Sequence, residues 1–230
     1  MSRKTKYLIQ EGIILHAFNV GIEPPSLSYA SEQGLSTPLI ENGRLLFRSP
    51  RDYNTATELL LDAREVANVS VLLHALLPDR IDLVLLQHEP YASSLFMQRA
   101  CQPLSCLLNR RLKRSGHYFH ARFGIKPVAS AAALLALSHT IHMGPVDAGL
   151  VLHAAEWPYS SCKACLDGMT PGLSDPSAII SLVGGKERYG QFLHQFARAN
   201  PSSAELFLCP EYRTVWKAMT RANQRQRRNR

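Results

Sequence analysis

The chain has 230 residues, 46% of them hydrophobic, enough to bury one real core with an appendage. Its formal charge is +8, and Arg221, Arg225, Arg227, Arg228 and Arg230 supply five of those charges, so residues 1–220 carry only three. That polarity suits an anionic polymer, because each cation that neutralises a phosphate releases a counterion. The longest run of small apolar residues, 128–137, is too short to span a bilayer, and the basic start is followed by Glu11. Together with five cysteines and no secretory signal, this predicts a cytoplasmic protein with reduced thiols.

In chain order, residues 12–20 (GIILHAFNV) have the β-branched, apolar composition of a first strand, and a Pro-, Ser- and Gly-rich loop follows over 21–36. Residues 52–67 place Leu59, Leu60, Ala63, Val66 and Ala67 at helical spacing, with Asp52 or Asn54 as the cap. The segment VSVLLHALLPDRIDLVLLQ reads as a hairpin of strands 69–77 and 81–87. A helix over 93–113, a short strand over 120–125 and a helix over 129–142 follow, the last ended by Gly144-Pro145. The order β, α, β, β, α, β, α is the split βαβ pattern of a ferredoxin-like antiparallel sheet with helices on one face, an α+β fold. Beyond Gly168 the pattern turns to short helices over 175–183, 187–199 and 203–220. The predicted organisation is therefore a ferredoxin-like domain (1–168), a helical extension (169–220) and an Arg-rich tail (221–230).

The hairpin, NRRLKRSGHYFHARF (109–123), LSHTIHMGPVDAGLV (137–151) and EWPYSSCKACLDG (156–168) together resemble the single-tyrosine transposases of the REP-associated type, over roughly residues 10–170. In that family the second hairpin strand carries a His-hydrophobic-His pair that holds a divalent metal. A helix then carries the nucleophilic Tyr, and an Asn one turn later supplies the third ligand. Here those four positions are Arg80, Asp82, Thr140 and Gly144. Arg has no lone pair for a metal, Asp82 is one carboxylate, Thr140 lacks an acidic phenol and Gly144 has no side chain. Arg80 and Asp82 share a strand face and are expected to form an ion pair, with the guanidinium able to meet a phosphate. The resemblance thus implies a transposase scaffold without its strand-cleaving chemistry. No catalytic residue, metal or cofactor is expected.

Arg110, Arg111, Lys113, Arg114 and Arg122 form a basic run interleaved with His117 and Tyr118, a mixture suited to phosphate contact and base stacking. Four cations at a helix end also complement the helix dipole. Arg80 and the tail residues Arg225, Arg227 and Arg228 complete the expected binding set, with Arg3, Lys4, Lys6, Arg44, Arg48 and Arg51 as weaker candidates. His139 and His142 read as one residue facing the sheet and one facing solvent. Cys162 and Cys165 have metal-ligand spacing but no second pair of like spacing, so they read as packing residues, and Trp157-Pro158-Tyr159-Ser160-Ser161 reads as a packing turn.

The expected function is binding of structured single-stranded nucleic acid, hairpin DNA first and RNA as the other option, with no membrane association. Two further readings stand beside it: an interaction subunit of a larger nucleoprotein complex, and a DNA-nicking enzyme with a relocated site at Tyr118 or a His.

Overall fold

The apolar run at 69–87 forms a hairpin around which the other elements are arranged. The computed structural model describes residues 13–18, 45–111, 113, 115, 124–128, 130–168, 172–196, 204 and 206–208. Within them lie β1 (Ile13–Phe18), α1 (Pro50–Ala67), β2 (Val69–Leu76), β3 (Ile81–Gln87), α2 (Ala92–Arg111), β4 (Gly124–Pro127) and α3 (Ala131–Asp147). A 3-10 turn at Ala154–Glu156 leads to the shorter helices α4 (Cys162–Asp167), α5 (Ser177–Val183) and α6 (Lys186–Gln195).

The sheet order is β2-β3-β1-β4, and every neighbouring pair is antiparallel. This is the ferredoxin-like split βαβ arrangement that the element order predicts. In the hairpin Leu76 lies opposite Ile81 and Val69 opposite Gln87, with a register shift between Val71 and Leu73. The extra residue there is Leu72, and it changes the alternation. Val69 and Val71 join one core, whereas Leu72, Leu73 and Ala75 join the other.

Two cores exist because both faces of the hairpin are covered. The crossover helices α1 and α2 pack with Val69, Val71, Leu76, Ile81, Leu83 and Leu85 on the first face. The second face, with Leu72, Leu73, Ala75, Leu77, Val84 and Leu86, is covered by α3 and residues of α4, α5 and α6. Helices on one face therefore describes the βαβ unit, and the later helices add a second layer. The run IDLVLLQ carries the reason, since a strand buried on both sides has no polar alternation.

The outer edge of β2 is capped by residues 157–161. The Leu76 amide donates to the Tyr159 carbonyl and the Ser161 amide to the His74 carbonyl, both at 2.9 Å. Trp157 Nε1 donates to the Leu76 carbonyl at 2.9 Å, and Tyr159 stacks on Tyr53 with ring centres 4.0 Å apart. Aromatic packing and backbone pairing together close an edge that would otherwise be open to association.

Two helix ends differ from the expectation. Ser49, not Asp52 or Asn54, is the N-cap of α1; Asp52 is the third helical residue and accepts the Ser49 amide at 3.0 Å. Helix α3 runs through Gly144-Pro145 to Asp147. Pro145 removes one amide donor, but the helix is kept by the Ala148 amide donating to the Gly144 carbonyl and the Leu150 amide to the Pro145 carbonyl, both at 2.9 Å. The turn out of the helix comes at Gly149, whose φ of 66° lies in the left-handed region. No helix among the described residues is long and apolar enough to cross a membrane.

Candidate functional site

The hairpin turn is tight: the Leu77 amide donates to the Arg80 carbonyl at 2.8 Å, and the Arg80 amide returns to the Leu77 carbonyl at 3.3 Å. Residues 80 and 82, two apart on the strand, share a face. Arg80 Nε donates to Asp82 Oδ2 at 3.1 Å, and Arg80 Nη1 lies 3.4 Å from Asp79 Oδ1. A Cβ built on Gly144 would stand 3.7 Å from both Arg80 Nη2 and Leu77 Cδ2. Three of the four positions singled out by the sequence, Arg80, Asp82 and Gly144, thus converge, and a guanidinium fills the space between them. Thr140 lies one turn earlier on α3, exposed, with its hydroxyl donating to the Ala136 carbonyl at 3.1 Å. Burial raises the Asp82 pKa, Arg80 opposes that, and the net shift is upward. This arrangement balances an arginine between two carboxylates.

The end of α2 has a different character. Arg110 and Lys113 are exposed, and the chain turns at Lys113, whose φ is 49°. Arg111, an expected phosphate contact, pairs through Nη1 with Asp52 Oδ1. The other Asp52 oxygen accepts the Arg48 amide at 2.8 Å. Burial works to raise the Asp52 pKa, but the Arg48 amide, Arg111 and Ser49 overcome it and the carboxyl titrates lower than usual. Arg48 and Arg51, which the sequence ranks as weaker candidates, lie exposed beside this pair. Arg114, His117, Tyr118, Arg122, Arg225, Arg227 and Arg228 lie outside the described residues, as do Arg3, Lys4, Lys6 and Arg44.

Neither His139 nor His142 faces solvent, a correction to the sequence reading. Their exposures are 5% and 0%. The cause is α6 and the residue after it: His139 meets the Phe192 and Phe196 rings edge-on, with centres 5.9 and 5.0 Å away. His142 Nε2 is 2.8 Å from Ser161 Oγ, and its Nδ1 is 2.8 Å from the Tyr189 hydroxyl. Ser161 Oγ also accepts the His74 amide at 3.0 Å. Every donor is used if Ser161 donates to the His74 carbonyl, 3.2 Å away, His142 Nε2–H donates to Ser161 and the Tyr189 hydroxyl donates to His142 Nδ1. A serine beside a histidine invites a nucleophile–base reading. Ser161, His142 and Tyr189 are at most 1% exposed, so no substrate reaches them. Burial, with His74 and His139 nearby, lowers the His142 pKa to about 3 and keeps the ring neutral. The network fastens β2, α3, α4 and α6 together.

Cys162 and Cys165 are both fully buried in the second core, and burial pushes the Cys162 thiol up to about 12. Both positions are packed interior. Among the described residues no group of three or more His, Cys, Asp or Glu is arranged to hold a metal ion.

No family model matches this chain. No curated protein matches it either. A solved structure described as a REP-associated tyrosine transposase bound to a REP hairpin is similar at a TM-score of 0.46 and 13% identity, covering 77% of this chain and 96% of that chain. The likeness concerns the course of the chain and assigns no residue role.

Proposed function

We propose that this chain binds structured nucleic acid, single-stranded hairpin DNA in the first place, and does so without cleaving it. The observation that carries this reading is the exposed pair Arg110 and Lys113 at the end of α2, within a chain whose last ten residues add five arginines. Cations of this kind bind phosphates without reference to sequence, while unpaired bases stack on neighbouring aromatic rings. The motif resemblance in the sequence points to the same class of ligand. Arg80 supports the absence of cleavage, because a permanent cation stands where the resemblance implies a metal and repels one. In this reading the chain is a pseudoenzyme, a domesticated transposase scaffold working in the cytoplasm. Residues 1–168 form its scaffold, 169–220 a helical extension and 221–230 a basic tail. Because Arg80 already meets Asp79 and Asp82, most of the phosphate contact falls to Arg110, Lys113 and the basic residues that follow.

The test is binding of a labelled DNA hairpin across a salt series. Replacing Arg110 and Lys113 by Gln together should weaken binding to every sequence alike. It should also flatten the slope of log K against log salt by about 0.7–0.9 for each lost contact. An unchanged slope in the double variant would move the site elsewhere.

A second reading, a protein-binding platform, is favoured by Val66, Tyr91 and Leu95, which are 55%, 82% and 39% exposed. They lie toward the end of the α1–α2 layer opposite the arginines.

A further inference from the structure

One end of the layer made by α1 and α2 carries Arg48, Arg51, Arg110, Arg111 and Lys113 at the start of one helix and the end of the other, joined through Asp52. The ion pair between Arg111 and Asp52 joins the last residue of α2 to the first turn of α1, across 59 residues of sequence. Asp52 also accepts the backbone amides of Arg48 and Ser49, at 2.8 and 3.0 Å, which fixes the segment entering α1 against the same point. Arg48 and Arg51 are exposed around the start of α1, and Arg110 and Lys113 are exposed at the end of α2 and just beyond it. Among the described residues, no carboxylate lies within ion-pair range of Arg51, Arg110 or Lys113. The Asp52 side chain is only 12% exposed and that of Arg111 33%. Asp52 is therefore sunk beneath the cations beside it, while Asp79, exposed and held by Arg80, stands on the neighbouring turn where the Pro78 carbonyl accepts the Leu46 and Phe47 amides.

A surface of this kind fits a polyanion with regularly spaced charges. Arg51, Arg110 and Lys113 can each meet a phosphate without leaving a described carboxylate, whereas Arg111 meets one only by giving up Asp52. We propose that Arg48, Arg51, Arg110, Arg111 and Lys113 form one phosphate-backbone-binding surface, in which Asp52 is an internal counter-ion that a nucleic-acid phosphate displaces from Arg111. The proposal rests on the nucleic-acid reading above and adds Arg48, Arg51, Arg111 and a regulating carboxylate to it. In this role Asp52 lowers affinity for any polyanion.

The experiment compares wild type, Asp52→Asn and Asp62→Asn for binding a labelled DNA hairpin over a salt series. Asp62 is exposed on the same helix, so its variant removes the same charge without touching Arg111. Asp52→Asn should bind about three- to ten-fold tighter than wild type at low salt. Its salt slope should steepen by about 0.7–0.9 as Arg111 gains a phosphate. Asp62→Asn should change affinity less than about two-fold. If wild type binds but Asp52→Asn is no tighter than Asp62→Asn, this proposal falls and the nucleic-acid reading survives. If wild type does not bind, both fall. Should Asp52→Asn lose its helical circular dichroism, Arg51→Gln carries the test: a weaker complex with a shallower slope supports the surface, and wild-type binding overturns it.

Discussion

Replacing Tyr189 by Phe removes one oxygen from a ring that is 0% exposed and leaves the ring itself in place against Phe192 and His142. The lost hydroxyl is 2.8 Å from Nδ1 of His142, which is itself 0% exposed. Nδ1 then has no partner in the core, and stranding a buried polar group costs about 1–3 kcal/mol. For a chain of this size each kcal/mol moves the melting temperature by about 2–4 °C, so the variant should melt roughly 2–12 °C lower. Thermal melting and urea unfolding followed by circular dichroism measure both quantities. Ser161→Ala should cost as much or more, since Ser161 Oγ serves the His74 amide as well as His142. Because both variants act through His142, their costs should fail to add by about 0.5 kcal/mol or more. A Tyr189→Phe protein as stable as wild type, or strict additivity of the pair, would refute the network.

The same network predicts an acid limb to stability. His142 and His74 have pKa values lowered by burial to about 3 and about 4, against 6.5 in an unfolded chain. Between those values the unfolded state binds more protons, so stability is fully present above pH 6.5 and is lost progressively as pH falls toward 3. Going from pH 7 to pH 5 should cost about 2 kcal/mol for the buried His142 ring, measured by urea unfolding, and a flat profile over that range would count against its burial in the neutral form. At Gly144, an added Cβ would make ordinary contact with Arg80 and Leu77. Gly144→Ala should therefore be neutral or gain up to about 1 kcal/mol of helix preference, whereas Gly144→Leu should lose about 1–3 kcal/mol. Equal stability of the two variants would show that α3 does not approach the hairpin so closely.

Local pattern carries most of the sheet and its crossover helices. The hairpin is legible because its apolar run breaks only at a Pro-containing turn, and β3 begins at Ile81 as read. The Arg80–Asp82 pair is legible as well, since period-2 geometry alone brings those side chains together. What escapes the sequence depends on distant partners. The burial of His139 and His142 comes from Tyr189, Phe192 and Phe196, roughly fifty residues later, and no spacing within α3 announces them. Helix α3 passes Gly144-Pro145 because the Ala148 and Leu150 amides still reach the Gly144 and Pro145 carbonyls, bonds that the dipeptide alone does not announce. The diversion of Arg111 to Asp52 needs two helices to meet, and a charge count of either one gives no sign of it. The second helical layer was legible in principle, in the unbroken apolar character of β3.

Incubating the purified chain with an end-labelled DNA hairpin, its unpaired scramble and duplex DNA, with and without magnesium, tests the central claim most directly when binding and strand integrity are read from the same samples. The account predicts salt-sensitive binding with preference for the hairpin, the same affinity with and without the metal, and full-length DNA throughout. Magnesium-dependent nicking, or DNA joined covalently to the protein, would contradict it.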